Sequence, residues 1–431
     1  MAVQKLFPLS LIVFTGFFAS KTATAQLSTN KILGQLNTIT TAVPFLMISP
    51  DARAGAMGDQ GVASTADANS MHWNPSKLVF IDPKMGKSGF SVNYTPWLRQ
   101  LVPDISLSYL SFYYLKDSRQ AFGASLRYFS LGDITFTDNF GTNIGTFNPN
   151  EFSLDGTYSR KLGEHFSTGV SLRYIYSNLT GGLDQYGQSK AGNAVAGDLS
   201  FYYNKPTTIQ EKKANWMLGL NVSNLGNKIS YSASGERNFL PCNMRLGGGI
   251  DINFDEYNRL VATVELTKLL VPTNPVYKKD GNGALIIDSV TQRPVIDRGE
   301  DPFTKGVIEG VFSSFTDAPG YLNDQGQFVD GSVFKEELRE INQSIGLEYW
   351  YANQFAIRGG FFNEHPTKGA RQYFTFGAGL KYNVFKIDFA YLVPTNRQLG
   401  RSPLQNTLRF SLSFDMSAFQ SPDASKKIEN Q

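Results

Sequence analysis

The chain has 431 residues, a formal net charge of +3 and one cysteine, Cys242. So small a charge excludes a nucleic-acid footprint, and one cysteine excludes intrachain disulfides and cysteine-based zinc clusters. Mean hydropathy is −0.23, and past the N-terminal stretch no run of about 18 apolar residues occurs, so no transmembrane helix is expected. Aromatic residues make up 13%, with 40 Gly, which suits strands that curve and carry interfacial rings.

Lys5, the apolar stretch from Leu6 to Ala19 and the small-x-small triplet Ala23-Thr24-Ala25 predict a signal peptide over 1–25. A membrane anchor is the alternative, but the run falls short of the ~20 residues a span needs. Residues 26–88 do not read as strand. They contain Pro50-Asp51-Ala52-Arg53-Ala54-Gly55-Ala56-Met57-Gly58 and then Asp67-Ala68-Asn69-Ser70-Met71-His72-Trp73-Asn74-Pro75-Ser76-Lys77-Leu78. Gly55, Gly58 and Gly61 permit tight turns, and Asn74-Pro75 opens a turn or short helix. The segment is predicted to be a hatch packed inside the strands that follow; a periplasmic arm is the alternative. Within it, Arg53 and Asp67 are candidates to pair with each other or with the wall, and Trp73 is a candidate anchor with its indole N–H paired.

From 89 to 416 the residues alternate apolar and polar with a period of two. Phe166, Thr168, Val170, Leu172, Tyr174 and Tyr176 oppose Ser167, Gly169, Ser171, Arg173 and Ser177. Such a strand has one greasy and one wet face. Fourteen are predicted, near 89–97, 104–116, 121–131, 150–160, 165–177, 193–204, 214–224, 242–254, 259–270, 343–351, 355–363, 372–382, 385–393 and 406–416. Joints after even strands are mostly tight and those after odd strands longer, as in an outer-membrane barrel with short periplasmic turns and long extracellular loops. The fold class is therefore all-β, a 14-stranded antiparallel transmembrane barrel in outer-membrane lipid, with both termini expected on the periplasmic side. A soluble sandwich or propeller would not explain aromatics on nearly every outward face.

The joint at 271–342 is too long for a plain loop. Asp301-Pro302 predicts a helix start, with Val307, Ile308, Val311, Phe312 and Phe315 on one stripe. Ser332 is expected to cap a second helix, with Phe334, Leu338 and Ile341 on its buried side. Val307, Val311, Phe312, Phe315, Phe334 and Leu338 are candidates for partner docking, against self-packing as a cap on the barrel mouth. Residues 417–431 are expected to form a periplasmic tail.

The Asp67–Ser76 stretch resembles the hatch motif of the FadL family, fourteen-stranded outer-membrane channels for hydrophobic compounds. Joined to the Pro50–Gly58 block, it resembles the PorV (LptO) branch, the outer-membrane component of the type IX secretion system of Bacteroidetes. The resemblance spans the chain past the signal and marks Pro50, Asp51, Arg53, Gly55, Gly58, Asp67, Asn69, Trp73, Asn74 and Pro75 as the hatch motif. It implies a Gram-negative outer membrane and a protein that partners a large translocon barrel. It further implies binding of cargo through C-terminal signal domains, and transfer to a surface attachment complex that includes a signal-removing protease.

No catalytic, cofactor or metal set is expected. His72, His165 and His365 are far apart, and no HExxH, GxSxG or phosphate loop is present. Asp280-Gly281-Asn282-Gly283 and Asn323-Asp324-Gln325-Gly326 read as turns, lacking calcium-loop spacing. The leading expectation is thus a type IX secretion component and cargo shuttle rather than an enzyme. The alternatives are a FadL-like channel taking up hydrophobic compounds and a general porin.

Overall fold

The computed structural model describes residues 36–416, apart from 84–85, 100, 103, 138–139, 180, 182–188, 233–234, 236, 324–326 and 396–401. The expected signal peptide, the start of the hatch, part of the second turn motif and the tail lie outside the described residues.

Strands are numbered in chain order. β1 (Ser88–Pro96), β2 (Ser106–Leu115) and β3 (Gln120–Ser130) are followed by a loop hairpin, β4 (Ile134–Thr137) and β5 (Asn143–Phe147). The wall continues with β6 (Asn150–Lys161), β7 (Phe166–Asn178), β8 (Gly192–Ile209), β9 (Lys212–Gly226), β10 (Asn243–Asn253) and β11 (Asn258–Leu269). The long loop holds β12 (Val276–Tyr277) and β13 (Ile296–Arg298). The wall ends with β14 (Asn342–Tyr351), β15 (Phe355–Asn363), β16 (Gln372–Tyr382), β17 (Phe385–Pro394) and β18 (Leu408–Asp415). Fourteen antiparallel strands close into a barrel, β1 pairing with β18 in the register Val92↔Leu412. Closure satisfies every strand edge, which a lipid-exposed sheet requires.

The barrel is inside-out relative to a water-soluble protein. On β7, Val170, Leu172 and Tyr174 are exposed, whereas Ser167, Ser171, Arg173 and Ser177 are buried. Outward rings mark the short-turn rim at Phe122, Tyr158, Phe166, Tyr257, Tyr351, Phe355, Tyr382 and Phe385, with mainly aliphatic side chains such as Leu172, Val264 and Ile345 between the rims. Amphipathic rings prefer the lipid headgroup level, and aliphatic side chains the hydrocarbon.

Inside the wall, residues 42–81 are almost all buried. Short helices at Ala52–Gly55 and Ser70–Trp73 and 3-10 turns at Pro44–Met47 and Pro75–Phe80 give this hatch its shape. Asn37 N donates to Thr367 O, and Ala42 N to Phe239 O, both in loops at the long-loop mouth. Further along, Pro75 and Ser76 carbonyls accept from Ser159 and Ser167, near the short turn joining β6 to β7. The described chain thus starts at the mouth opposite the short turns, whereas β18 ends beside them. Residues 36–83 therefore run from one mouth of the barrel to the other.

Candidate functional site

Two features stand out: the clamp between hatch and wall, and the outer face of the long loop.

The clamp begins at Asp51, whose Oδ1 accepts Ala54 N at 2.8 Å and so caps the helix Ala52–Gly55. Its Oδ2 accepts the Trp73 indole N–H at 2.7 Å, joining the two hatch motifs. The Arg245 guanidinium of β10 lies 4.9 Å from the Trp73 ring. Pro50 is buried. Arg53 bonds to Asp67 at 2.7 Å and to both carboxylate oxygens of Glu348 on β14, at 2.8 and 2.7 Å. Glu348 also accepts from Arg358 of β15 at 2.6 Å, and Arg358 donates to Asp388 of β17 at 2.8 Å. Asp67, Arg53, Glu348, Arg358 and Asp388 therefore alternate in sign from hatch to wall, so each buried charge faces an opposite one.

The remaining motif residues are held in the same way. Asn69 Oδ1 accepts from Asn93 at 3.0 Å and Ser111 at 3.1 Å. Asn74 Nδ2 donates to Val62 O and Phe201 O, while its Oδ1 accepts Ser76 N and caps the turn that Pro75 opens. Gly58 has φ +82°, and a Cβ there would lie 2.7 Å from Phe361 O. Gly55 has no such backbone demand; a Cβ would lie 2.5 Å from the Arg409 guanidinium.

Several partners were not evident in the sequence. Asp59 bonds to Arg409 of β18 at 2.6 Å and to Tyr373. Glu265 of β11 accepts the backbone N–H groups of Gly61 and Val62 at 2.8 Å each. Arg127 of β3 donates to Leu46 O and His72 Nδ1, both at 2.6 Å. Wall glycines complete the fit: a Cβ on Gly346 would lie 2.5 Å from Met57 O, one on Gly169 2.7 Å from Ser76 N, and one on Gly360 would strike the Met57–Gly58 backbone. The available signal was a charge or glycine on an inward strand position. Around Asp51, Arg53, Trp73 and Lys77 the free space is about 10 Å³, no more than one water needs.

The long loop corrects two expectations. The first helix spans Val307–Ser313 and starts at Gly306, not Asp301; Asp301 instead accepts Phe303 N in a preceding turn. The second, Val333–Arg339, lies the other way round from its apolar stripe. Phe334 is 70% and Leu338 50% exposed, while Glu336, Glu337 and Glu340 are buried. Ser332 occupies the cap position, but its hydroxyl accepts Tyr321 N instead. The physical reason is charge pairing. Lys268 of β11 donates to Glu337 at 2.9 Å and Glu340 at 2.6 Å, and Lys368 to Glu336 at 2.6 Å and Glu340 at 2.9 Å. Two lysines on the rim thus draw the acidic face inward, and the apolar stripe is left outside.

On the first helix Val307 and Val311 are half-buried, Val311 against Phe239, Cys242, Leu270 and Val271. Phe312, at 72%, and Phe315 are exposed. The Asp280 carboxylate is spent within its own turn, accepting Asn282 N and Ala284 N. Among the described residues, no three His, Cys, Asp or Glu side chains are grouped to hold a metal.

A closed fourteen-stranded barrel with a lumen filled by its own N-terminal segment is an outer-membrane protein of the hatch-bearing kind. The chain belongs to the family described as "Type IX secretion system protein PorV", whose model matches residues 31–276. It is accordingly an outer-membrane component of type IX secretion. The toluene transporter TodX of Pseudomonas putida is similar in structure, at 14% identity over 88% of this chain and 98% of that one, with a TM-score of 0.43. A FadL homologue of Pseudomonas aeruginosa is 11% identical over 88% and 99%, at 0.40. Comparison with curated proteins finds no match.

Proposed function

We propose that this protein is a membrane-held platform that receives secreted cargo at the outer face and passes it on, not a pore. It docks against a large translocon barrel, binds the C-terminal signal domains of cargo and delivers them to a surface attachment complex containing a signal-removing protease. The motif residues Pro50 to Gly58 and Asp67 to Pro75 serve to seal and stiffen the barrel. Phe312, Phe315, Phe334 and Leu338, with Val307 and Val311 beneath them, serve to dock.

One observation carries this reading. The helix Val333–Arg339 buries Glu336 and Glu337 and exposes Phe334 and Leu338, and the helix Val307–Ser313 exposes Phe312, although turning the second helix over would hide its apolar stripe from water. An apolar helix face turned to water marks a contact surface. The reading places the long loops outside the cell and the short turns in the periplasm, following barrel convention. The uptake alternative needs a greasy lumenal route, but the lumen is occupied by hatch and paired charges.

The test is a deletion strain complemented with wild type or with Phe312→Asp/Phe334→Asp. The deletion should leave cargo inside the cell with its C-terminal signals uncleaved, and the double variant should do the same while inserting normally. Normal surface delivery in the deletion strain would sink the reading. Uptake of fatty acids or aromatics by liposomes bearing the pure protein would favour the channel instead.

A further inference from the structure

We infer that residues 36–83 thread the lumen of their own barrel and that Leu36 lies at the cell surface. The orientation rests on the reading above; the threading does not.

Four contacts place the start of the described chain at the long-loop mouth. Asn37 N donates to Thr367 O at 3.0 Å. The Asn37 amide donates to Asn274 O at 3.0 Å, and the Asn274 amide returns a bond to Thr38 O at 2.8 Å. Ala42 N donates to Phe239 O at 3.0 Å. These acceptors lie on three different loops, so the segment is strapped to the cap rather than leaning on one neighbour. Ile39 packs with Phe239, Cys242 and Leu270. Thr38 and Ile39 also wall a cavity of about 320 Å³ with Leu269, Glu340, Lys368 and Arg371. Leu36 itself is 50% exposed.

From there the chain reaches the other mouth by a folded course, Arg53 meeting Glu348 near the short-turn end of β14 before Asp59 returns toward the long-loop ends of β16 and β18. Phe45 and Leu46 lie under Arg127, in the outer half of β3. Asp59 meets Arg409, and Gly58 N donates to Thr375. Phe80 then stacks edge-on to Tyr202 and lies under Lys161, at the short-turn mouth. The buried hatch between the two mouths holds residues 36–42 at the long-loop side.

The experiment reads sidedness on intact cells with a membrane-impermeant maleimide, in full-length protein carrying Cys242→Ala. Single cysteines are placed at Leu36, at the exposed outer-hairpin residue Asn282 and at Ser118 in the short β2–β3 turn. Heat-modifiable mobility confirms a folded barrel in each. Leu36→Cys should label on intact cells as fully as Asn282→Cys, with Ser118→Cys labelling at least tenfold less until the outer membrane is permeabilised. Leu36→Cys following the Ser118→Cys pattern overturns the threading. Labelling of Ser118→Cys but not Asn282→Cys overturns the orientation instead, and threading is then judged by which control Leu36→Cys matches.

Discussion

Arg53 of the hatch and Glu348 of β14 form a two-bond fork, Nε to Oε2 at 2.8 Å and Nη2 to Oε1 at 2.7 Å, between residues 295 positions apart. Only a planar guanidinium offers two parallel donors to one carboxylate. The fork joins the segment laid down first to a strand made late.

Arg53→Met strips this pairing from Asp67 and leaves Glu348 with Arg358 alone. Breaking one partner of a buried charge pair costs about 3–5 kcal/mol. We expect the heat-modifiability midpoint in detergent to fall accordingly, with Arg53→Lys falling less. An unchanged midpoint for Arg53→Met would show that the fork is not part of the clamp.

Gly360→Val tests the seal from the wall side. A side chain there enters the Met57–Gly58 backbone, and overpacking typically costs about 1–3 kcal/mol. The wild type should be silent in planar bilayers and the variant should show a steady ionic current. Equal silence from both, in properly inserted protein, would mean the hatch accommodates the intrusion.

Phe45 and Phe312 should behave oppositely. Phe45, fully buried against Phe129, should cost about 3–5 kcal/mol as Phe45→Ala. Phe312→Asp should leave stability within about 0.5 kcal/mol while stopping cargo delivery. Equilibrium unfolding in detergent and a surface-delivery assay separate the two effects.

The outer cap should loosen in acid, partly through His365. Burial, with Arg339 and Lys368 nearby, pushes this imidazole down to about 4, against an ordinary value near 6.5. Between those values the unfolded loop takes up a proton that the folded loop refuses, so stability falls as pH drops from about 6.5 to 4. Glu340 adds to this: burial raises it, but Lys368 and Lys268 outweigh burial and hold it below the usual carboxylate range. That stabilisation is present above the ordinary value and lost as pH falls through the folded one. Glu337, pushed up by burial, works in the other direction. His365→Gln isolates the imidazole: cleavage of the 271–342 loop by an acid-tolerant protease should rise more steeply from pH 6.5 to 4 in wild type. Matching profiles would remove His365 from the account.

The barrel was legible in the sequence because a period of two reports a local fact: successive side chains point to opposite faces. Strand number, the long and short joints and the lipid-facing side all follow from it, and Val170, Leu172 and Tyr174 are exposed as expected. The hatch motif was legible as a resemblance, and its Asn74-Pro75 turn as local chemistry. What lay beyond reach was partner choice. Nothing near Arg53 in the chain points to Glu348, and nothing near Asp59 points to Arg409. The helix at 333–339 failed for the same reason: its stripe is real, but Lys268 and Lys368, distant in sequence, decide which side is buried. Local pattern by itself determined the wall and its two faces. Only the closed structure decided what fills the lumen, which way the N-terminal segment runs and which face of the cap meets water, since each depends on charges and glycines brought together by closure.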